Sequence, residues 1–487
     1  MLSPLGETTT QFAERLNPKT RIAYGIGELA GALPNSVSAF FFLFFLTNVA
    51  GLEPTLAGTA VLLGKVWDAF SDPLVGWLSD RTRSPLGRRY PWMLGGMLPL
   101  AASCVLQWIV PPTNNQWLLF SYYSVVSLIA FTSLTTVLLP FSALAAELTR
   151  SYNERINLIS FKSAFSIGGS IFALMAAQTL FARIQHPSHK YLAVGSINGL
   201  LVVLAVLACI VGTWARYQQV QRYHPIDYHL QSEASLWQQA KGALQNPAFR
   251  WVMGLYLCSW TAVQVAAVVL PYFVVDWMGL SERQFVQMAL VVQGTAVLTI
   301  TLWNWLGRKT DKRTIYFLGA PLILIAQFGL FSLQPGQSHL MFGLAAIAGV
   351  GTATVYLVPW SMLPDVVDFD EALTGQRREG IFYGFAVFIQ KIGIAVAIFL
   401  TSRILEWSGY LSSTGGNANR VVQPDTALWM IRLITGPIPA VLILGGIACA
   451  LCYPITRSLH RQILKQCDRP MPDAYIDEKG IQRKTGK

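Results

Sequence analysis

Charged residues are scarce in this chain: Asp, Glu, Lys and Arg make up 13% of its 487 residues, against 53% hydrophobic. An ordinary soluble domain is about one-quarter charged, so a surface wetted on all sides is excluded. Cysteine is rare too, six in all, with no spacing that suggests a metal site or a disulfide framework. Cys104, Cys209, Cys258, Cys449 and Cys452 fall in apolar runs and Cys467 in a polar tail. Cys449 and Cys452 read as small packing residues of one helix. The six histidines form no His-x-x-x-His pair and no Gly-x-Ser-x-Gly elbow occurs, so nothing points to a membrane-embedded enzyme. The first 20 residues lack a signal-peptide core, because Glu7, Glu14 and Asn17 interrupt it. The first span then reads as an uncleaved anchor.

What the chain has instead is apolar runs of about 20 residues, long enough to cross a bilayer as helices. A backbone in lipid must satisfy its own hydrogen bonds, and no alternating pattern suggests a barrel. The expected spans are 22–49, 56–78, 91–110, 117–146, 157–181, 191–215, 251–277, 283–307, 314–333, 338–364, 380–405 and 427–453. With a cytoplasmic N-terminus, most of the 36 Lys and Arg lie inside, and the outside loops hold only Arg183, Lys190, Arg283, Arg403 and Arg420. That asymmetry is the positive-inside rule, and it places both termini in the cytoplasm. The net charge of +11 therefore reports topology, and no nucleic-acid partner is expected.

Six spans, a polar stretch and six more spans give a six-plus-six plan. The expected boundaries are 1–215 for the first half, 216–250 for a cytoplasmic loop with a surface helix near 235–245, 251–456 for the second half, and 457–487 for a cytoplasmic tail. The expected fold is an all-α membrane protein of twelve helices, the layout of the major facilitator superfamily, whose substrate site lies at midplane between the halves. A weak internal repeat fits: Gly76-Trp77-Leu78-Ser79-Asp80-Arg81 ends the second span, and Trp305-Leu306-Gly307-Arg308-Lys309 with Asp311 ends the eighth.

An ionisable group at the centre of a membrane costs about 2.5 kcal/mol or more, so each one is a functional candidate. The second span contains Lys65-Val66-Trp67-Asp68-Ala69-Phe70-Ser71-Asp72-Pro73. Asp68 and Asp72 are four apart and share a helical face, with Lys65 a turn earlier. Two close carboxylates repel unless a proton or a cation held by hard oxygen ligands sits between them. The pair reads as a coupling-cation site with Ser71 beside it, or as a structural network with Lys65. Lys391 in the eleventh span needs a carboxylate, and a bridge to Asp68 or Asp72 would couple binding to rocking. Lys162 reads as a substrate contact or a snorkelling residue, Glu28 as a cytoplasmic gate or a cavity group, and Arg432 as an interfacial anchor. A set of carboxylates at inner span ends (Asp80, Glu147, Asp365, Asp368) has arginines nearby in sequence: Arg81, Arg83, Arg150, Arg155, Arg377 and Arg378. With Arg88 and Arg89 these form a candidate cytoplasmic gate, able to bias a two-state equilibrium as a network.

Three stretches are more specific. They are Trp67 to Gly76 running on to Asp80-Arg81-Thr82-Arg83 and Gly87-Arg88-Arg89-Tyr90; Pro140-Phe141-Ser142-Ala143-Leu144 with Glu147 and Glu154-Arg155; and Asp365-Val366-Val367-Asp368-Phe369-Asp370-Glu371 with Gly375-Gln376-Arg377-Arg378 and Lys391. Together they resemble the glycoside–pentoside–hexuronide:cation symporter family, the melibiose permease-like group of the major facilitator superfamily, over nearly the whole chain. The resemblance implies sodium- or proton-coupled symport by alternating access, with Asp68, Asp72, Ser71 and Thr135 at the cation and Lys391 as the helix-eleven lysine. It also implies that Lys162 and Tyr356 contact substrate. Ala32, Leu138 and Ser142 stand where that family has two carboxylates and a stacking tryptophan, which puts galactoside transport in doubt. The same changes, with Leu33-Pro34-Asn35, Lys162 and Leu363-Pro364-Asp365, resemble the sodium-dependent lysophosphatidylcholine symporter branch.

The expectation is thus a cation:solute symporter for a sugar, glycoside or uronide, with a lysophospholipid symporter as the alternative and a membrane receptor or scaffold as the non-transport reading. Asn35, Trp360 and Gln390 join Lys162 and Tyr356 as candidate substrate groups. No cofactor is expected beyond the co-transported sodium or proton. The expected setting is the cell inner membrane, and the expected state is a monomer.

Overall fold

A computed structural model describes residues 16–149, 152–223, 244–374, 379–412 and 422–466. The described chain is almost entirely helical. In order the helices are α1 (Pro18–Gly27), α2 (Leu29–Asn48), α3 (Pro54–Arg81), α4 (Tyr90–Leu106), α5 (Gln116–Leu148), α6 (Tyr152–Arg183), α7 (Pro187–Tyr223), α8 (Pro247–Tyr272), α9 (Glu282–Lys309), α10 (Lys312–Ser332), α11 (Ser338–Thr374), α12 (Glu379–Trp407), α13 (Asp425–Thr435), α14 (Pro437–Cys452) and α15 (Arg457–Gln466). The starts follow local chemistry. Asn17 and Asn115 accept from the backbone N–H groups of Lys19 and Trp117, each at 3.0 Å. Pro18, Pro54 and Pro437 stand in the first helical turn, where a missing N–H costs nothing.

Ten apolar spans are long enough to cross a membrane, with α1–α2 and α13–α14 each counted as one, and α4 is a shorter apolar helix. Helix α3 completes twelve spans among the described residues. It has the length but carries Lys65, Asp68 and Asp72 along its middle. Every expected span has its helix, with ends moved by a few residues. The largest departure is α11, which runs ten residues past the expected 364 through Pro359 and Pro364. Proline withdraws a helical hydrogen bond, and near that weakened turn the Ser361 carbonyl accepts from Lys312 Nζ at 2.7 Å. The expected surface helix near 235–245 lies outside the described residues except for its last two.

The described helices fall into two compact units. The first comprises 1–231 with Ala267–Leu290 and Ile398–Ile431, and the second 232–266 with Val291–Ala397 and 432–487. In the first, α3 packs along α5, α4 lies against α5 and α7, and α1 and α2 pack on α6 and α7. In the second, α11 packs along α10, α14 on α10, and α15 on the end of α11. Two local irregularities position polar groups. The first span breaks at Glu28, between α1 and α2. Helix α8, carrying Pro271, continues into a π-helical turn over Phe273–Trp277 that contains Asp276.

Candidate functional site

Helix α3 sorts its side chains by face. Trp67, Phe70, Leu74 and Trp77 are exposed, whereas Asp68, Ser71, Val75 and Ser79 are buried. The contrast is sharp: Phe70 is 66% exposed and Asp68 4%. The apolar face suits lipid and the polar face packs on α5. Close approach there depends on Gly64, where a Cβ would stand 2.7 Å from the Phe131 ring and 2.9 Å from Ser127. Trp67 Nε1 donates to Thr132 Oγ1 at 2.8 Å and fixes the register.

That register brings Thr135 between the two aspartates. Its hydroxyl lies 2.9 Å from Asp68 Oδ1 and 3.0 Å from Asp72 Oδ1. Ser71 Oγ stands 3.5 Å from the same hydroxyl and donates to the Asp68 carbonyl at 3.1 Å. A threonine carries one hydroxyl proton, so it donates to only one carboxylate at a time. Two carboxylates on one helix face repel, and a proton or a small cation between them would relieve that repulsion. Four of the residues selected from sequence (Asp68, Asp72, Ser71 and Thr135) therefore come together. The ammonium of Lys65 lies over the Phe131 ring, 4.4 Å from its centre. The hydroxyls of Ser124 and Ser127, further along α5, are buried without a hydrogen-bond partner. The sequence reading missed them because isolated serines in an apolar span carry no distinctive signal.

Two turns along α5 from Thr135 is Ser142, whose hydroxyl accepts from Lys162 Nζ at 2.8 Å. Lys162 also stands 3.6 Å from Glu28 Oε2, with the Phe141 ring centre at 5.5 Å. Asn35 is exposed on α2. Leu138, on α5 between Thr135 and Ser142, packs over Gly31.

The second unit holds an aromatic cluster. Trp360 Nε1 donates to Tyr256 OH at 3.2 Å, and the Trp360 ring stacks at 29° with Tyr383. Trp260 meets Tyr356 edge-on at 5.2 Å and Tyr256 at 5.8 Å. Trp260 Nε1 is buried without a partner. Tyr356 and Trp360 were expected, while Tyr256, Trp260 and Tyr383 were missed. Two matching Tyr-x-x-x-Trp spacings, 256–260 and 356–360, would have revealed most of it, since i and i+4 share a helix face. Gln390 and Lys391 lie half-buried on α12, two turns beyond Tyr383.

The expected gate residues pair over long sequence distances. In the first unit Glu147 accepts from Arg88 Nε at 2.6 Å and Arg89 Nε at 2.9 Å. Arg89 also pairs with Asp80 and donates to Ser79 Oγ at 2.8 Å. Arg81 lies over the Trp77 ring at 4.1 Å, and Arg83 is exposed. In the second unit Lys312 holds both oxygens of Asp365 at 2.7 Å, and His460 stands 3.1 Å from Asp368 and 3.6 Å from Asp365. Arg377 lies outside the described residues, as does the side chain of Arg155. Arg432 donates to the Phe331 carbonyl at 2.7 Å, at the end of α10.

The opposite end of the first unit has its own polar layer. Tyr410 OH lies 2.8 Å from both Asn48 Oδ1 and Asp276 Oδ2, and Thr47 bonds Tyr272 at 2.9 Å. Burial and the Asp276 carboxylate push the Tyr410 phenol above its ordinary value. Glu282 accepts from Lys190 at 2.6 Å and Tyr191 at 3.0 Å, and Thr55 N donates to Glu406 at 2.9 Å. The sequence reading did not single these groups out, since polar residues beside a turn carry no distinctive signal.

Comparison with known proteins converges on one class. A family model described as MFS/sugar transport protein matches residues 23–457. A Synechocystis protein described as an uncharacterized symporter is 41% identical over 95% of this chain and 99% of its own length. The sodium-dependent lysophosphatidylcholine symporter 1 of Xenopus tropicalis is 24% identical, covering 92% of this chain and 89% of that one. The Escherichia coli putative glycoside/cation symporter YagG is 26% identical over 93% and 96%. Among solved structures, the nucleoside transporter NupG superposes with a TM-score of 0.62 at 11% identity, over 89% of this chain and 100% of that one, and supports the fold. The chain belongs to the MFS/sugar transport protein family of the major facilitator superfamily, as a multi-pass secondary symporter of the inner-membrane type and not an enzyme.

Proposed function

We propose that this symporter drives its solute with sodium or a proton held by Asp68 and Asp72, with Thr135 and Ser71 as neutral oxygens. The observation that carries the reading is the Thr135 hydroxyl within hydrogen-bonding distance of both carboxylates. A hard cation seeks such oxygens, and placing positive charge there relieves the repulsion between two aspartates on one helix face. Lys65, a turn before Asp68 on α3, acts as a counter-charge, and Lys391 on α12 is the candidate coupling lysine of the second unit. Cation occupancy of the pair biases the inward–outward equilibrium by its differential affinity for the two states.

The substrate is a sugar, glycoside or uronide; the candidate contacts are Lys162 and Asn35 in the first unit and, in the second, Tyr356, Trp360 and Gln390, where the aromatic cluster offers ring faces to a pyranose. YagG, named for a glycoside and a cation, supports this reading. A second reading, an amphiphile such as a lysophospholipid, is favoured by Leu138 packed over Gly31 and by the lysophosphatidylcholine symporter relative. Asp80, Arg89 and Glu147 in one unit, and Asp365, Asp368 and Lys312 in the other, serve as gate charges at the cytoplasmic ends. The protein works as a monomer with both termini in the cytoplasm.

Sodium-gradient-driven uptake in proteoliposomes tests the reading. Asp72→Asn is expected to abolish accumulation against a gradient while leaving the protein folded. Full accumulation in that variant would remove the cation site, and a receptor or scaffold would show no accumulation in either form.

A further inference from the structure

Glu28 and Lys162 are poorly matched as a permanent ion pair. Their 3.6 Å separation contrasts with 2.6 Å for Lys190–Glu282 and 2.7 Å for Lys312–Asp365. The short bond of the ammonium is to the neutral Ser142 hydroxyl, at 2.8 Å. An ammonium has three donors, so Lys162 keeps capacity for a stronger acceptor. Glu28 sits at the break in the first span and caps neither helix with its side chain.

The position of the pair gives it a purpose. Ser142 lies seven residues from Thr135 on α5, about 10 Å along the axis and on the same face. Charge placed at Lys162 is therefore felt at Asp68 and Asp72. A neutral hydroxyl cannot replace Glu28 without leaving the half-buried ammonium uncompensated, whereas another anion can.

We propose that Lys162 seats an anionic group of the substrate, a carboxylate or a phosphate, and that Glu28 is the resident counter-ion which the substrate displaces. This rests on the symport reading above. An anion about 10 Å from a bound cation, at an effective dielectric near 20, strengthens cation binding by about tenfold, and the cation strengthens anion binding equally.

The test uses the purified full-length protein, with melting followed in sodium against matched probes. One pair is 4-nitrophenyl glucuronide and 4-nitrophenyl glucoside; the other is lysophosphatidic acid and monoacylglycerol. One anionic member is expected to bind at least tenfold more tightly than its neutral mate, and which pair responds identifies a sugar carboxylate or a lipid phosphate. Lys162→Arg is expected to keep the preference, Lys162→Gln to lose it, and Glu28→Gln to tighten anion binding several-fold. Equal binding within both pairs, no response to either anion, or weaker anion binding in Glu28→Gln overturns the proposal. Neutral probes that bind and accumulate with sodium would leave the symport reading standing and sink only this inference. Binding with no sodium dependence would instead remove the symport reading.

Discussion

Replacing Thr135 with valine keeps a β-branched side chain of the same shape and deletes the one hydroxyl that both carboxylates share. Helix α5 is long and apolar at this point, and Thr135 is buried against α3, so the packing survives. What is lost is a neutral oxygen 2.9 and 3.0 Å from Asp68 and Asp72. A hydrogen bond to a charged group contributes about 1.5–3 kcal/mol. The threonine has one proton, so the loss is counted once and not twice. At 1.4 kcal/mol per tenfold, the cation binds roughly 10- to 150-fold more weakly. The assay is the sodium concentration that half-saturates gradient-driven uptake, checked against the sodium dependence of melting. Thr135→Ser, which restores the oxygen, should lie within about fivefold of the parent, since only a methyl of roughly 1 kcal/mol is removed. Wild-type half-saturation in Thr135→Val would show that the hydroxyl is a bystander, and the cation would have to be bound elsewhere.

Glu147→Gln leaves the guanidinium groups of buried Arg89 and half-buried Arg88 short of a shared carboxylate and should cost about 3–5 kcal/mol, read as a fall in melting temperature of several degrees. Asp80→Asn, at a carboxylate that is nearly half exposed, should cost under about 1 kcal/mol; equal losses would mean that the buried network is misdrawn. Tyr410→Phe removes the hydroxyl between Asn48 and Asp276 and should lower stability by about 1–3 kcal/mol in thermal unfolding, an effect absent if the contacts are incidental. Trp360→Ala should weaken substrate binding several-fold through the loss of ring contacts, while Trp360→Phe should recover most of it, because an aromatic pair contributes about 0.5–1.5 kcal/mol. If the two Trp360 variants bind substrate equally well, the aromatic cluster is structural.

The spans were legible because lipid imposes one rule, a run of apolar residues about 20 long, and ten of the described spans obey it. Asp68, Ser71 and Asp72 were legible for the converse reason, since a charge in such a run has no cheap structural excuse. Thr135 was reached through resemblance, because nothing in its own stretch marks one threonine out from Thr132 or Thr136. Pairings between helices were the part that sequence proximity could not supply. Glu147 was read beside Arg150 and Arg155, yet its described partners are Arg88 and Arg89, nearly 60 residues away. Asp365 likewise meets Lys312 and His460, which only the packing of α10 and α15 on α11 brings near. The expected span ended at 364, yet α11 runs on through Pro364 to Thr374.

Helix α3 has a consequence for how the chain is made. Lys65, Asp68 and Asp72 each tax its entry into lipid by about 2.5 kcal/mol or more near the centre, and its exposed Trp67, Phe70 and Leu74 recover only part of that. When the ribosome has delivered this segment, its future partner α5 has not yet been synthesised. The segment must therefore wait at the membrane interface, or in the protein channel that inserts it, until residues 116–148 emerge and cover its polar face. Assembly of α3 with α5 is thus a step of biogenesis as well as of packing, and a change at Gly64 that blocks their approach would act on insertion before it could act on transport.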